Sequence, residues 1–374
     1  MSTRVSFTRR VGVGLAAMAM LTGAALAGAP AAAAAPQRGN GHETTPAQPY
    51  KGNPDTSDWL GSYLVGGKQV WCVQFAYLAP DSTEQYQPGA ELMTKWGTAL
   101  PSTVAADISY LLLRYADTDS PDEAAALAHL LHSWTAGPQN PAQLDPSYDF
   151  RHIAYDVNFH LAKLPPAAQT AVNTLTADAA ANRGPWTATI TAPTTPQTIG
   201  VAADWTIAVK NAAGKGVGDV PVTITAVDAT FPDPATGKQV TTGTVPTGAD
   251  GAPLALAVTP TGAAPKLDIA LASPAERPVV QHTIEKPDTQ NIVSTGGEKE
   301  LTATAETSAT PPPTTTTQQL PSTIPAGDPQ VTEASVSNSL SGGAWTALGL
   351  VALAVGVLVW QLVRRRATGR RLRG

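Results

Sequence analysis

The chain is short of cysteine: one thiol, Cys72, in 374 residues, set within VWCVQFAYLAP (70–80). A single cysteine closes no loop, so a disulfide scaffold is excluded. There is no DxDxDG loop, no Gly-rich phosphate loop and no GxSxG elbow. Calcium-loop, phosphate-loop and serine-elbow chemistries go with them. No carboxylate or thiol stands at zinc-ligand spacing beside the histidines, so neither a metal nor another cofactor is expected. Acid is missing from the last eleven residues, RRRATGRRLRG (364–374), which hold six arginines.

What is present begins with two apolar runs. Arg4, Arg9 and Arg10 precede VGVGLAAMAMLTGAALA, and Ala25-Leu26-Ala27 fits the small-residue cleavage rule. Residues 1–35 therefore read as a signal peptide. Gly12 stands where a twin-arginine signal wants a bulky apolar residue, which favours the general secretory route. At the other end AWTALGLVALAVGVLVWQLV (344–363) has no charge over 20 residues, with Trp345 and Trp360 near its ends. A helix of that length spans a hydrocarbon core of about 30 Å. The arginine tail (364–374) then predicts a cytoplasmic C-terminus and an extracellular N-terminal part. The expected localisation is the cell membrane, crossed once. Removing the three leader and six tail arginines leaves 15 basic residues against 29 acidic ones, a formal charge of −14. Such an ectodomain repels phosphate backbones, and nucleic acid is not an expected partner.

Between the ends, residues 36–57 are polar and rich in Pro and Gly, a flexible lead-in. Residues 308–343 are a Thr/Pro/Ser-rich stalk. The segment 58–184 reads as an α+β head. In VWCVQFAY, Trp71, Val73, Phe75 and Tyr77 alternate with Val70, Cys72, Gln74 and Ala76, so a strand is predicted with the thiol opposite the aromatic ladder. About four helices follow. STVAADISYLLLRYADT places Val104, Ile108, Leu111, Leu112 and Tyr115 at helical spacing. SPDEAAALAHLLHSWTAG has Ser120 as N-cap, Pro121 at the first position and Glu123 to complete a capping box. DPSYDFRHIAYDVNFHLAKL and PPAAQTAVNTLTADAAANRG supply the other two. The segment 185–307 reads as an Ig-like β-sandwich, with Trp205, Ile207 and Val209 on one strand face and Asp-Gly turn chemistry in TGADGAPLALAVTP. Lys210, the residue that an intramolecular isopeptide bond would need, falls on the wet face.

The histidines are the remaining candidates. His129 and His132 are three apart on the second helix and read as surface residues, His129 away from the apolar stripe and His132 at its edge. His152 and His160 lie eight apart on the next. Any of the four is a candidate base for a Cys72 hydrolase. The bland alternative for Cys72 is a small hydrophobe packed in a strand.

A cysteine in VWCVQF, an alanine-rich helix ending in Trp (EAAALAHLLHSW), a sandwich, a Thr/Pro stalk and an arginine-ended anchor together resemble Gram-positive surface proteins with Cys-Gln thioester domains. The alanine content and the arginine-rich ends look actinobacterial. The resemblance implies a thioester between the cysteine and a glutamine on a TQxAxW-like helix, reacting with amines on a target surface. Placing Trp134 on that pattern puts Leu130 at the glutamine position, and placing His132 there puts Ala128 in it. Gln139, Gln143 and Gln169 lie outside the motif, so the glutamine side is degenerate. TIAVKNAAGKGVGDVPVTITAV and TGADGAPLALAVTP resemble bacterial Ig-like modules of the invasin or prealbumin-like kind. LPSTI (320–324) departs from a sortase signal at Ile324. The sequence thus predicts a membrane-anchored surface display or adhesion protein without enzymatic turnover. Its partner is a surface ligand or cell-envelope component, and a covalent thioester adhesin through Cys72 is the alternative.

Overall fold

The computed structural model describes residues 36–294 and 297–314. The expected signal peptide (1–35), most of the stalk, the membrane span (344–363) and the tail (364–374) lie outside the described residues. Among the described residues no helix is long and apolar enough to cross a membrane. The fold class is corrected accordingly: what is seen is mostly β-sheet with four α-helices, and no transmembrane helix is part of it.

The head opens with β1 (Arg38–Thr44), β2 (Asp58–Val65), β3 (Lys68–Cys72) and β4 (Tyr86–Glu91). Four helices follow, α1 (Ser102–Tyr115), α2 (Pro121–Ala136), α3 (Val157–Leu161) and α4 (Pro166–Asn182). The Ser120 hydroxyl caps α2 by accepting from the Glu123 N–H at 3.3 Å, but the Glu123 carboxylate accepts from the Thr118 hydroxyl, so the capping box is half-made. The alanines of α2 explain its place. Ala124, Ala125, Ala126 and Ala128 are buried together with Leu127, Leu130 and Leu131, because small side chains let the sheet and α4 close on it from several sides. That burial takes His129 and His132 inside.

The third expected helix is mostly absent. Asp145 accepts from the Ser147 N–H and Asp149 from the Arg151 N–H, local turns that compete with a helical backbone. Only α3 remains, capped by Asp156, whose carboxylate accepts from the Phe159 N–H at 3.0 Å.

The sandwich strands are β5 (Thr187–Thr191), β6 (Gln197–Thr198), β7 (Ala203–Lys210), β8 (Pro221–Val227), β9 (Ala229–Pro232), β10 (Gln239–Val240), β11 (Thr242–Pro246), β12 (Leu254–Pro260) and β13 (Lys266–Ser273). After β14 (Val279–Thr283) and β15 (Ile292–Val293) come β16 (Lys299–Glu306) and β17 (Ala309–Thr310). One sheet runs β10-β9-β12-β7-β5 and the other β11-β8-β13-β16. Strict alternation buries Trp205, Ile207 and Val209 on β7, as the period-2 pattern requires, and leaves Lys210 exposed. Gly251 takes φ +74° in the expected Asp-Gly turn, which a Cβ would strain.

The sequence boundary at 184/185 does not divide the sheets. β13 and β16 pair from Lys266↔Glu306 to Ser273↔Lys299, and the chain between them leaves the sandwich. It returns to the head as β14 and β15, giving a six-stranded sheet in the order β1-β2-β3-β15-β14-β4. The head sheet is therefore completed by residues from within the segment read as sandwich.

Candidate functional site

Cys72 is the last residue of β3. Its neighbours Trp71 and Val73 face the helices: the Trp71 indole N–H donates to the Ala116 carbonyl, and the Thr135 hydroxyl to that of Val73. Cys72 points the other way, into a small cluster of Tyr63, Val70 and Ile292 against which Trp59, Val65, Ala79 and Tyr86 pack. The thiol is buried and free. Burial, with a smaller push from the Glu84 charge, raises its pKa far above the ordinary thiol range.

The histidines belong to the opposite side. His129, His132 and His160, read from sequence as surface residues, are all buried and gathered around Tyr155 and Phe75. His129 Nδ1 lies 2.8 Å from the Tyr155 hydroxyl. His160 stacks on the Tyr155 ring at 4.1 Å; its Nδ1–H donates to the Asp156 carbonyl, and Nε2 meets Asp58 Oδ2 at 3.0 Å. His132 Nδ1 is buried without a partner. Burial depresses His129 to about 4 and His132 to about 3. His152 is exposed and bonds Asp149 at 2.6 Å. None of the four belongs to the apolar cluster around the thiol, though His132 lines the cleft shared by Tyr63 and Gln290. Among the described residues no group of three or more His, Cys, Asp or Glu side chains could hold a metal ion.

Gln139, Gln143 and Gln169 stay with their local turns and helix ends. Gln290 is a buried glutamine two residues ahead of Ile292, the strand partner of Cys72. β15 pairs with β3 in the register Ile292↔Cys72 and Val293↔Trp71, and the Val73 N–H donates to the Asn291 carbonyl at 3.1 Å. Gln290 precedes Ile292 by two residues, just outside β15, where continued pairing would make it the diagonal cross-strand neighbour of Cys72. Such neighbours stand about 7–8 Å apart, within reach of a long side chain. The turn after β3 anchors it. Ala76 sits at φ +70°, a left-handed position unusual for a residue with a Cβ, and the chain bends so that two carbonyls face Gln290. The Gln290 N–H donates to Leu78 O at 2.9 Å and Nε2 to Tyr77 O at 3.1 Å. The Tyr86 hydroxyl donates to the Gln290 carbonyl at 3.2 Å. Oε1 is buried with no partner, which costs about 1–3 kcal/mol. Gln290 and Glu84 line a cleft of about 690 Å³ whose walls also include Tyr50, Trp59, Tyr63, Phe75 and His132; Cys72 lies beneath Tyr63 and does not line it.

Sequence reasoning missed Gln290 because it sought the glutamine on the helix. The signal was TQNIV (289–293), an apolar pair after a glutamine between two segments in sandwich phase, with no strand partner of its own there.

No family model matches the chain, and no curated protein matches it. Among solved structures, the Bacillus anthracis TIE protein matches with a TM-score of 0.32 and 10% identity, covering 73% of this chain and 47% of that one. This chain thus spans about half the length of that protein. A likeness of this degree names no family and assigns no residue a role.

Proposed function

We propose that the protein is a bacterial surface adhesion protein whose head forms an internal thioester between Cys72 Sγ and Gln290 Cδ. The bond S–C forms, the bond C–Nε2 breaks, and ammonia leaves; nothing is oxidised or reduced. A primary amine on a target then attacks the thioester carbonyl, becomes an amide on Gln290 and returns the Cys72 thiol. One observation carries the reading: Gln290, buried with an unpaired Oε1, stands two residues ahead of Ile292, which pairs across the sheet with the buried, free thiol of Cys72.

The chemistry of the surroundings favours the bond. A thiolate in this cluster would be desolvated, whereas a thioester is neutral and carries no donor to satisfy. Two groups held in one folded frame react with far less entropy loss than free partners. Burial of Cys72 keeps water from the acyl carbon. A Cys/His hydrolase is not proposed.

Intact mass before and after methylamine tests this. The reading expects a chain lighter by one ammonia than its sequence, which gains one methylamine. Gln290→Ala and Cys72→Ala should each show full mass and no uptake. A wild-type chain at full mass with a titratable Cys72 would remove the proposal.

A further inference from the structure

The cleft of about 690 Å³ is acidic and aromatic at once. Four carboxylates line it, Asp55, Asp58, Asp81 and Glu84, against two cations, Arg38 and Lys286. Both cations are engaged. Lys286 Nζ meets Asp81 Oδ2 at 2.8 Å and Glu84 Oε1 at 3.1 Å, one ammonium between two carboxylates. Arg38 bonds Glu43, a residue outside the walls, at 3.2 Å and lies 4.9 Å over the Trp59 ring. Asp58 Oδ2 accepts from the Gln48 N–H at 2.6 Å and meets His160, also outside the walls, at 3.0 Å. The surroundings therefore do not cancel the excess of acid. Lys95 stands over Phe75 and Tyr77 at 5.9 and 5.4 Å, so among the described residues Tyr50 and Tyr63 are the wall rings with no cation of the chain over them. Two buried polar atoms on these walls also lack partners. Gln290, 7% exposed, spends Nε2 on the Tyr77 carbonyl and leaves Oε1 bare, and His132, 6% exposed, leaves Nδ1 bare. A carbonyl oxygen only accepts, so Gln290 Oε1 calls for a donor. Burial holds His132 neutral, with a lone pair on one ring nitrogen.

We propose that this cleft is a noncovalent binding site for a primary ammonium on an unbranched apolar stem, the chemistry shared by a lysine side chain and a polyamine. The excess carboxylates draw the charge in, and an anion is turned away. The rings of Tyr50 and Tyr63 cover the methylene stem and present their negative faces to the cation. Gln290 Oε1 accepts one ammonium N–H, and His132 Nδ1 a second in the tautomer that carries its proton on Nε2. A quaternary ammonium brings the charge without a donor for these atoms, and a neutral sugar gains nothing from the excess acid. The site does not depend on the thioester reading: Cys72 is not among its walls, and no bond is made or broken in binding.

The test titrates the full Cys72→Ala chain, which forms no thioester, with Nα-acetyl-lysine amide and with cadaverine in a calorimeter. Cys72→Ser takes its place should the alanine variant fail to fold. Each probe should bind saturably at one site and more weakly as salt is raised. The tighter of the two tells a protein side chain from a free polyamine. The trimethylated lysine probe, which keeps the charge and loses the donors, should bind about ten-fold more weakly. Nα-acetyl-norleucine amide and methyl glucoside should give no saturable heat. Asp55→Asn, at an exposed wall position, should weaken the lysine probe about three-fold and reduce its salt dependence. Tyr50→Leu, which keeps an apolar wall and removes the ring, should weaken it about five-fold. No saturable binding of either amine would overturn the proposal, and so would norleucine or glucoside binding as tightly as lysine. Equal affinity for the trimethylated probe would overturn the primary-ammonium assignment. Unchanged affinity in both wall variants would overturn its place in this cleft. The mass of the wild-type chain bears on the thioester alone, and the titration on this site alone.

Discussion

At the scale of residues, the head holds basic groups in unusual places. Lys95 is largely buried, and its three N–H groups donate to the carbonyls of Phe75, Phe150 and Ile153 at 2.8, 2.7 and 2.7 Å. Burial pushes it down to about 7, while one acceptor for each N–H favours the ammonium. His132 Nδ1 has no partner, and His129 has the Tyr155 hydroxyl rather than a set of carbonyls. Both are depressed below the ordinary value of 6.5, so the fold favours their neutral forms. The unfolded chain takes up protons first as pH falls. Their contribution to stability is present in full above about pH 6.5 and is lost as pH drops through about 4 and about 3. The upper part of that window lies above the carboxylate range, so it can be read separately. Thermal melts in a pH series should show stability falling between pH 6.5 and 4, and His132→Phe should flatten that limb. An acid limb of unchanged depth in the variant would count against the assignment. The sequence showed these histidines on a helix but put them in water, because the apolar stripe of α2 looked one-sided. Its alanines are neutral to such a pattern, and they are what allow packing all round.

At the scale of elements, β15 is two residues long yet sets the site. Ile292 is 1% exposed and pairs with Cys72, filling the apolar cluster around the thiol. Ile292→Ala should cost about 2–5 kcal/mol in chemical denaturation and speed loss of the ammonia deficit in water, because it opens a cavity beside the acyl group. A cost below about 0.5 kcal/mol with an equally durable deficit would show that this strand does not shield the bond. β3 was legible in part: alternation separates the Trp71 and Val73 face from the Cys72 face, but the strand expected over 70–77 ends at Cys72, and the chain turns over 74–77 with Ala76 at φ +70°. The cap of α2 was legible too, through Ser120 and Pro121. β15 was not. Two residues carry no periodicity, and their pairing partner lies about two hundred positions away in sequence, where no local propensity reports it.

At the scale of the whole described body, residues 36–313 form a single compact unit, not a head followed by an independent sandwich. β13 and β16 are neighbours in one sheet, and the excursion between them supplies two strands to another. Arg114 on α1 reaches the carbonyls of Gly218 and Asp219, and the Asn211 side chain donates to Ala181 at the end of α4. The segment between two neighbouring sandwich strands therefore supplies β14 and β15 to the head sheet, with Ile292 paired to Cys72. Composition and turn chemistry revealed both layers of the molecule, since each layer is local in sequence. The crossing is not local, and nothing in a period or a motif encodes which sheet an inserted hairpin will join.

The partnership proposed for Cys72 and Gln290 is tested by where methylamine goes. Peptide mapping of the methylamine-treated full chain should find the N-methylamide on Gln290, with Cys72 newly open to a thiol reagent. An N-methylamide on any other glutamine, or none with Cys72 reactive from the start, would contradict the account.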